Sequence, residues 1–264
     1  MNDFIYRYKY LNFDPHKSLK VITDSTTRFS MPTDFNDPFD CFPFIDPKQV
    51  TDEALKPLLK KLPISPADRL SQKKVLKRNL QRSIESGNYL GDFNSHIGVC
   101  CLSRSATEPL MWAHYADNHR GFVVEFKIPM LGTKDQVERS DYFLIPHEVD
   151  YSKHRPEITL LENDERQVEL SLLTKSDHWD YEQEERVISY QRGPGVHNIS
   201  PSLLCTVIAG MRMNPDHLHQ LEQAIRNHNR THYKNVRLYQ AAPHDRKYKI
   251  EVADHPRLDS GANS

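Results

Sequence analysis

The chain has 264 residues, enough to bury a sizeable core within one domain. Lys and Arg number 35 against 36 Asp and Glu, a net charge of -1, which excludes a basic nucleic-acid footprint over the whole chain but not a local patch. No run of about 18 apolar residues is present, which excludes a membrane-spanning helix.

The opening Met1-Asn2-Asp3-Phe4 lacks the basic start and apolar run of a secretory signal. The four cysteines, Cys41, Cys100, Cys101 and Cys205, contain no Cys-x-x-Cys pair, and a reducing, cytoplasmic compartment is expected. Phe4 to Tyr10 alternates aromatic and basic residues, a strand pattern with Tyr6, Tyr8 and Tyr10 on one side and Arg7 and Lys9 on the other. A short helix or turn follows at Leu19 to Ile22, then a short strand from Arg28 stopped by Pro32. Phe35-Asn36-Asp37-Pro38-Phe39-Asp40 reads as a rigid polar turn, because Pro38 favours extended geometry at Asp37 and the Asx side chains bond their own backbone.

Residues 51–61 and 66–86 read as helices of an insertion over about 50–90. Ser65 caps the second, Pro66 opens it, and Leu76, Leu80 and Ile84 form a ridge opposite Lys73, Lys74, Lys77, Arg78 and Arg82. Ile97 to Ser103 is an apolar run of central-strand length ending in a hydroxyl. A helix over Glu108–Asn118 carries Met111, Trp112, His114 and Tyr115, and Gly121–Phe126 is a further strand holding the single acid Glu125. Val149–Tyr151 suggests a short strand and 157–175 a helix with a polar middle at Glu162–Gln167. Leu203–Ala209 is a strand, Asn214–Asn229 a helix, and Val236–Gln240 with Tyr248–Val252 close the sheet. Strands and helices without regular alternation indicate one α+β domain over 1–255, with a mixed, mostly antiparallel sheet flanked by helices. Residues 256–264 are expected to be a disordered tail.

The densest chemistry lies in Trp179-Asp180-Tyr181-Glu182-Gln183-Glu184-Glu185-Arg186-Val187. A strand beginning near Glu182 would point Glu182, Glu184 and Arg186 to one face and Tyr181, Glu185 and Val187 to the other. Paired carboxylates raise each other's pKa, a nearby arginine partly relieves this, and such pairs do proton-transfer and glycosidic chemistry. The alternative is an exposed edge strand with a solvated charge ladder. Phosphate-binding glycine loops and a nucleophile elbow are absent, and no pair among the fourteen histidines has an obvious third ligand, so no metal is expected.

Phe35–Asp40, Cys101-Leu102-Ser103, Pro109–Asp117, Gly121–Phe126, Lys175 and Trp179–Arg186, in that order, resemble a bacterial family, Domain of Unknown Function 2971. More distantly, the order of elements is similar to the ADP-ribosyltransferase-like fold. That likeness implies a basic residue on the first strand (Arg7 or Lys9), a hydroxyl on a middle strand (Ser103), and a Glu-x-Glu at a later strand (Glu182 and Glu184). The Ser-Thr-Ser trio of such enzymes is absent, the strand ending Leu102-Ser103-Arg104-Ser105.

The likeness implies an NAD-consuming transferase or glycohydrolase, of the kind that serves as a toxin or in phage defence. Glu184 would stabilise the ribosyl cation, Glu182 would handle the acceptor, and Arg186 would be their counter-ion. Arg7 or Lys9 would hold the pyrophosphate, Ser103 the amide or ribose, and Tyr8 or Tyr115 would stack on nicotinamide beside His114. Asn36, Asp37 and Asp40 would shape the mouth or meet a protein or nucleic-acid acceptor. Two alternatives stay open. One is a nucleic-acid binder or metal-dependent nuclease using the basic 73–82 face and the acidic strand, and the other is a non-catalytic interaction module in which the charged strand is structural.

Overall fold

Period-two alternation builds the centre of the molecule, for which the computed structural model describes residues 4–61, 65–130, 139–159 and 165–258. In chain order the strands are β1 (Phe4–Leu11), β2 (Thr26–Phe29), β3 (Gly98–Ser103), β4 (Phe122–Pro129), β5 (His147–Glu148), β6 (Asp150–Ser152), β7 (Thr174–Ser176), β8 (Glu184–Ser189), β9 (Gly195–Asn198), β10 (Leu204–Ala209), β11 (Arg237–Gln240), β12 (Ala242–Pro243) and β13 (Ile250–Glu251). The helices are α1 (Lys20–Thr23), α2 (Asp52–Lys61), α3 (Pro66–Glu85), α4 (Asn88–Asn94), α5 (Pro109–Tyr115), α6 (Ser140–Phe143), α7 (Glu165–Leu173) and α8 (Pro215–His232). Seven strands form the main sheet in the order β11-β10-β4-β1-β3-β8-β5, antiparallel throughout except for β10 with β11. The α+β architecture read from the sequence is the one observed.

The two sheet faces carry different cores. Cys100, Leu102, Phe122, Val124, Phe126, Val187 and Val207 face α1 and α8, where they meet Ile22, Leu221 and Ile225. Tyr8, Tyr10, Val123 and Ile208 face α5 and pack on Met111 and Trp112. The indole nitrogen of Trp112 donates to Ala106 O at 2.8 Å, which satisfies the polar atom of a fully buried ring. Gly121 follows a turn with positive φ at Asp117, Asn118 and His119, and a Cβ there would sit 2.1 Å from Leu11 O. Only glycine lets the α5–β4 turn approach β1 this closely.

One junction in the sheet is thin. β1 pairs with β4 along its whole length, but with β3 only at Tyr8 opposite Ser103. Below that pair the strands diverge, and Ser30 at the end of β2 bridges to Val99 in the fork. The ammonium of Lys9 also spans the gap, donating to Cys101 O at 3.2 Å.

Several expected boundaries move. The helix expected over 157–175 is observed over Glu165–Leu173, residues 160–164 lie outside the described residues, and Lys175 stands on β7. The β8 strand begins at Glu184, not Glu182, because Asp177–Glu182 winds into a 3-10 turn capped by the Ser176 hydroxyl. Tyr248–Val252 does not close the main sheet; Ile250–Glu251 pairs with Ala242–Pro243 as a separate ribbon. Within the stretch expected to be a tail, Arg257 grips Glu125, so 256–258 are docked, while 259–264 lie outside the described residues.

α2 and α3 begin at the expected places, with Ser65 accepting from Asp68 N at the cap of α3. On the basic face of α3, Lys73 and Lys77 both pair with Asp52 of α2.

A buried carboxylate cluster at the sheet fork

The cross-strand register sets the site. Tyr8, Ser103 and Glu184 are direct neighbours across β1, β3 and β8, so all three side chains leave the same face of the sheet. They line a cleft of about 300 Å³ between the fork, the 30–36 segment and α5, together with Tyr115, Lys175 and Glu182.

Lys175 organises the acids. Its ammonium donates to Glu184 Oε2 at 2.9 Å and to Glu182 Oε2 at 2.5 Å, and lies 3.5 Å from Asp40 Oδ2. Arg186 is fully buried on the same face. Its Nε donates to Glu184 Oε1 at 2.9 Å, and its NH2 group donates to both oxygens of Asp40 at 2.9 and 2.7 Å. Its remaining nitrogen donates to Leu172 O at 2.6 Å. Three carboxylates thus contact two cations directly, with Lys9 close enough for its charge to act on Glu184.

The two glutamates lie in opposed environments. Burial disfavours the charge on Glu184, but Arg186 and Lys175 outweigh it and hold the carboxyl well below its usual value. Glu182 is raised, because burial, with a contribution from Glu184, outweighs Lys175 and the hydrogen bond from Tyr115. Burial also opposes the charge on Lys175, but Glu184, Glu182 and Asp40 push its pKa far up, so it is a fixed cation. A carboxyl shifted down beside another shifted up is the kind of arrangement that lets two acids take different roles. Both glutamates touch one ammonium, so their nearest oxygens are less than about 5.5 Å apart.

Local backbone produces this convergence. Gln183 takes a left-handed conformation at φ 45, which breaks the strand period between Glu182 and Glu184. Its carbonyl accepts from Arg104 N and its amide donates to Asp180 O, so the strained residue is held at both ends. Ser103 fixes Glu182 from the other side, its hydroxyl donating to Glu182 O at 2.6 Å and accepting from Ser105 N. Tyr115 donates to Glu182 Oε1 at 2.6 Å and accepts from the Asn36 amide at 3.3 Å.

The structure gathers Tyr8, Lys9, Asn36, Asp40, Ser103, Tyr115, Glu182 and Glu184 at the cleft, and redirects several roles. Arg7 is a correction. It leaves the opposite face from Tyr8 and makes a bidentate pair with Glu185 at 2.6 Å on each arm, so it does not enter the cleft. Register and partner together set this: Tyr8 opposes Ser103, so Arg7 leaves the other face, and Glu185 on that face holds it there, whereas Lys9 of the same parity turns into the fork.

Arg186 is buried behind Glu184, not in the cleft lining, and positions Glu184 and Asp40. His114 is exposed on a surface aromatic group with Trp179 and Tyr181, outside the cleft. Asp37 closes its own turn by accepting from Phe39 N, so its role is in the backbone. Asp40 is an interior partner of Arg186 and not a mouth residue, and Asn36 alone of that trio stands at the entrance. Tyr181 packs on the α5 face with Trp112, not on the face of Glu185 and Val187.

Lys175 was missed as a site residue. Its signal was present, a lone lysine seven residues before Glu182 in the same motif set, but nothing local marks a lysine as buried. Tyr8 has a second partner that a sequence does not reveal. Its hydroxyl donates at 3.0 Å to Glu125, which also accepts from Thr206 and, through both oxygens, from Arg257. Arg120, a nearby base in sequence, instead pairs with Asp117. Among the described residues, no three His, Cys, Asp or Glu side chains gather as a metal-ligand set.

Residues 111–187 match the model of the family described as Protein of unknown function (DUF2971), which bears out the family resemblance over that stretch. No curated protein and no solved structure matches the chain, and the more distant likeness to the ADP-ribosyltransferase-like fold gains no support from these comparisons.

Proposed function

We propose that the cleft transfers a glycosyl group from NAD, to water or to an acceptor, as an ADP-ribosyltransferase or NAD glycohydrolase does. The observation that carries this reading is the convergence of Glu184, its pKa lowered, and Glu182, its pKa raised, on one ammonium in a cleft that three tyrosines also line. In the reaction the bond between the ribose carbon and the nicotinamide nitrogen breaks, and its electron pair leaves with nicotinamide. Positive charge develops on the ribose. A preorganised carboxylate at Glu184 stabilises that charge without reorganising, because Arg186 and Lys175 already hold it ionised. The acceptor oxygen then bonds to the ribose carbon and gives its proton to Glu182. Tyr8, Tyr10 and Tyr115 offer faces for a flat heterocycle.

A cleft of about 300 Å³ is at the lower end of ligand pockets, so it suits the nicotinamide and its ribose, with the rest of the dinucleotide leaving past Asn36. Arg7 takes no part, since Glu185 occupies its guanidinium. A toxin or phage-defence role would follow from depletion of NAD or modification of a cellular target.

The test is incubation of the protein with NAD, following nicotinamide release and transfer to candidate acceptors. The wild type releases nicotinamide, and Glu184→Gln loses about 10²–10³ in rate, the size expected for one preorganised electrostatic group. Near-ultraviolet circular dichroism checks that the variant is folded. A wild-type protein that neither consumes nor binds NAD refutes the reading.

A further inference from the structure

A second cavity, of about 360 Å³, opens on the opposite side of the sheet, between β1, the 12–20 segment leading into α1, and β2. Five of its lining residues are basic, Lys9, His16, Lys17, Lys20 and Arg28, and no Asp or Glu lines it. A chain with a net charge of -1 has no general excess of cations, so this concentration is local.

Lys17, Lys20 and Arg28 are poorly neutralised, whereas Lys9 also feels the negative charge of Glu184 across the fork. Lys9 donates only to neutral acceptors, Cys101 O at 3.2 Å and Cys100 Sγ at 3.4 Å. Among the described residues no carboxylate pairs with Lys9 or Lys17. Lys20 and Arg28 meet Asp24 at 3.7 Å and Asp34 at 3.4 Å, but these side chains are 41–68% exposed. Exposed pairs of that kind hold their partners weakly, so both cations are free to turn toward a bound anion. Like charges gathered around a concavity repel one another unless an anion shares the space.

We infer that this cavity is a binding site for a phosphate-bearing small molecule, a diphosphate or phosphate ester. Several oxygens on one phosphorus match the spread of ammonium and guanidinium donors, which a single carboxylate would not fill. The hydroxyls of Thr26 and Thr27 add neutral partners, and Leu11, Val21 and Val196 give apolar wall for an organic substituent. The inference is independent of the donor taken by the acidic cleft. Lys9 is nonetheless a residue of both cavities, standing in the fork between them.

Isothermal titration of the full chain with inorganic pyrophosphate at low ionic strength tests the site. One saturable site is expected. Its affinity falls at least tenfold in the double variant Lys17→Glu/Arg28→Glu, whose two side chains are exposed and whose fold is checked by circular dichroism. A control on the other basic face, Lys74→Glu/Arg78→Glu, leaves the affinity unchanged. No binding by the wild type overturns the inference, as does equal weakening by the control pair or binding that survives Lys17→Glu/Arg28→Glu.

Discussion

Replacing Lys175 with methionine probes the charge cluster most directly. The variant keeps the length and apolar stem of the side chain but removes the ammonium that joins Glu182, Glu184 and Asp40. Three buried carboxylates then share Arg186 alone, and that guanidinium reaches only Glu184 and Asp40. Removing one partner of a buried ion pair costs about 3–5 kcal/mol. For a chain of this size the urea dependence is near the top of the range of about 1–3 kcal/mol per molar, so the unfolding midpoint should fall by about 1–2 M at pH 7.

The pH dependence has a fixed sign. Glu184, depressed in the folded protein, contributes stability above its unfolded pKa that is lost as pH falls through its folded value. Without Lys175 both glutamates move upward, so in acid they take protons that cancel the missing charge. The penalty of Lys175→Met is therefore largest at neutral pH and smaller near pH 5. Adding Glu182→Gln restores the charge balance and recovers part of the loss. A fall of less than about 1 kcal/mol at pH 7, well under the usual cost of breaking such a pair, would refute the account, as would a penalty that grows on acidification.

Further expectations follow from neighbouring contacts. Tyr115→Phe removes a hydrogen bond that lowers the pKa of Glu182, so in a nicotinamide-release assay the acidic limb of the pH–rate profile should move to higher pH. Arg257→Ala strips the bidentate partner from buried Glu125; thermal or urea unfolding should show a loss of about 3 kcal/mol, the lower end for a buried pair because Arg257 is partly exposed. Gln183→Val, which forces a β-branched residue into a left-handed backbone, should cost at least about 1–2 kcal/mol, while Gln183→Gly should be close to neutral. Burial pushes the Cys41 thiol up to about 12, so a thiol reagent followed by mass spectrometry should label Cys41 in the folded protein far more slowly than after denaturation.

Much of this was legible from periodicity. The alternation in Phe4–Tyr10 places the tyrosines on the cleft side, and the run Ile97–Ser103 is buried on both faces as a central strand must be. Glu182 and Glu184 were found by their spacing, although the physical reason they converge is the kink at Gln183 and not a continuous strand. What was hidden depends on registry and long-range contacts. The choice between Arg7 and Tyr8 as the cleft residue turns on which of them opposes Ser103, and no local pattern fixes that pairing. Arg257 reaches Glu125 from 132 residues away, and Lys175 is identifiable as interior only once α7 and β8 are packed around it.

The fork between β1 and β3 divides the sheet into two leaves, one of four strands and one of three. Within the leaves, neighbouring strands such as β1 with β4 and β3 with β8 zip together over most of their length, whereas β1 and β3 share one residue pair, supplemented by side-chain links such as Lys9 to Cys101 O and Arg7 to Glu185. In backbone pairing the seam is thus the weakest line of the main sheet. Tyr8 and Ser103 form its one ladder rung and both line the acidic cleft, so the cleft straddles the join between the two leaves.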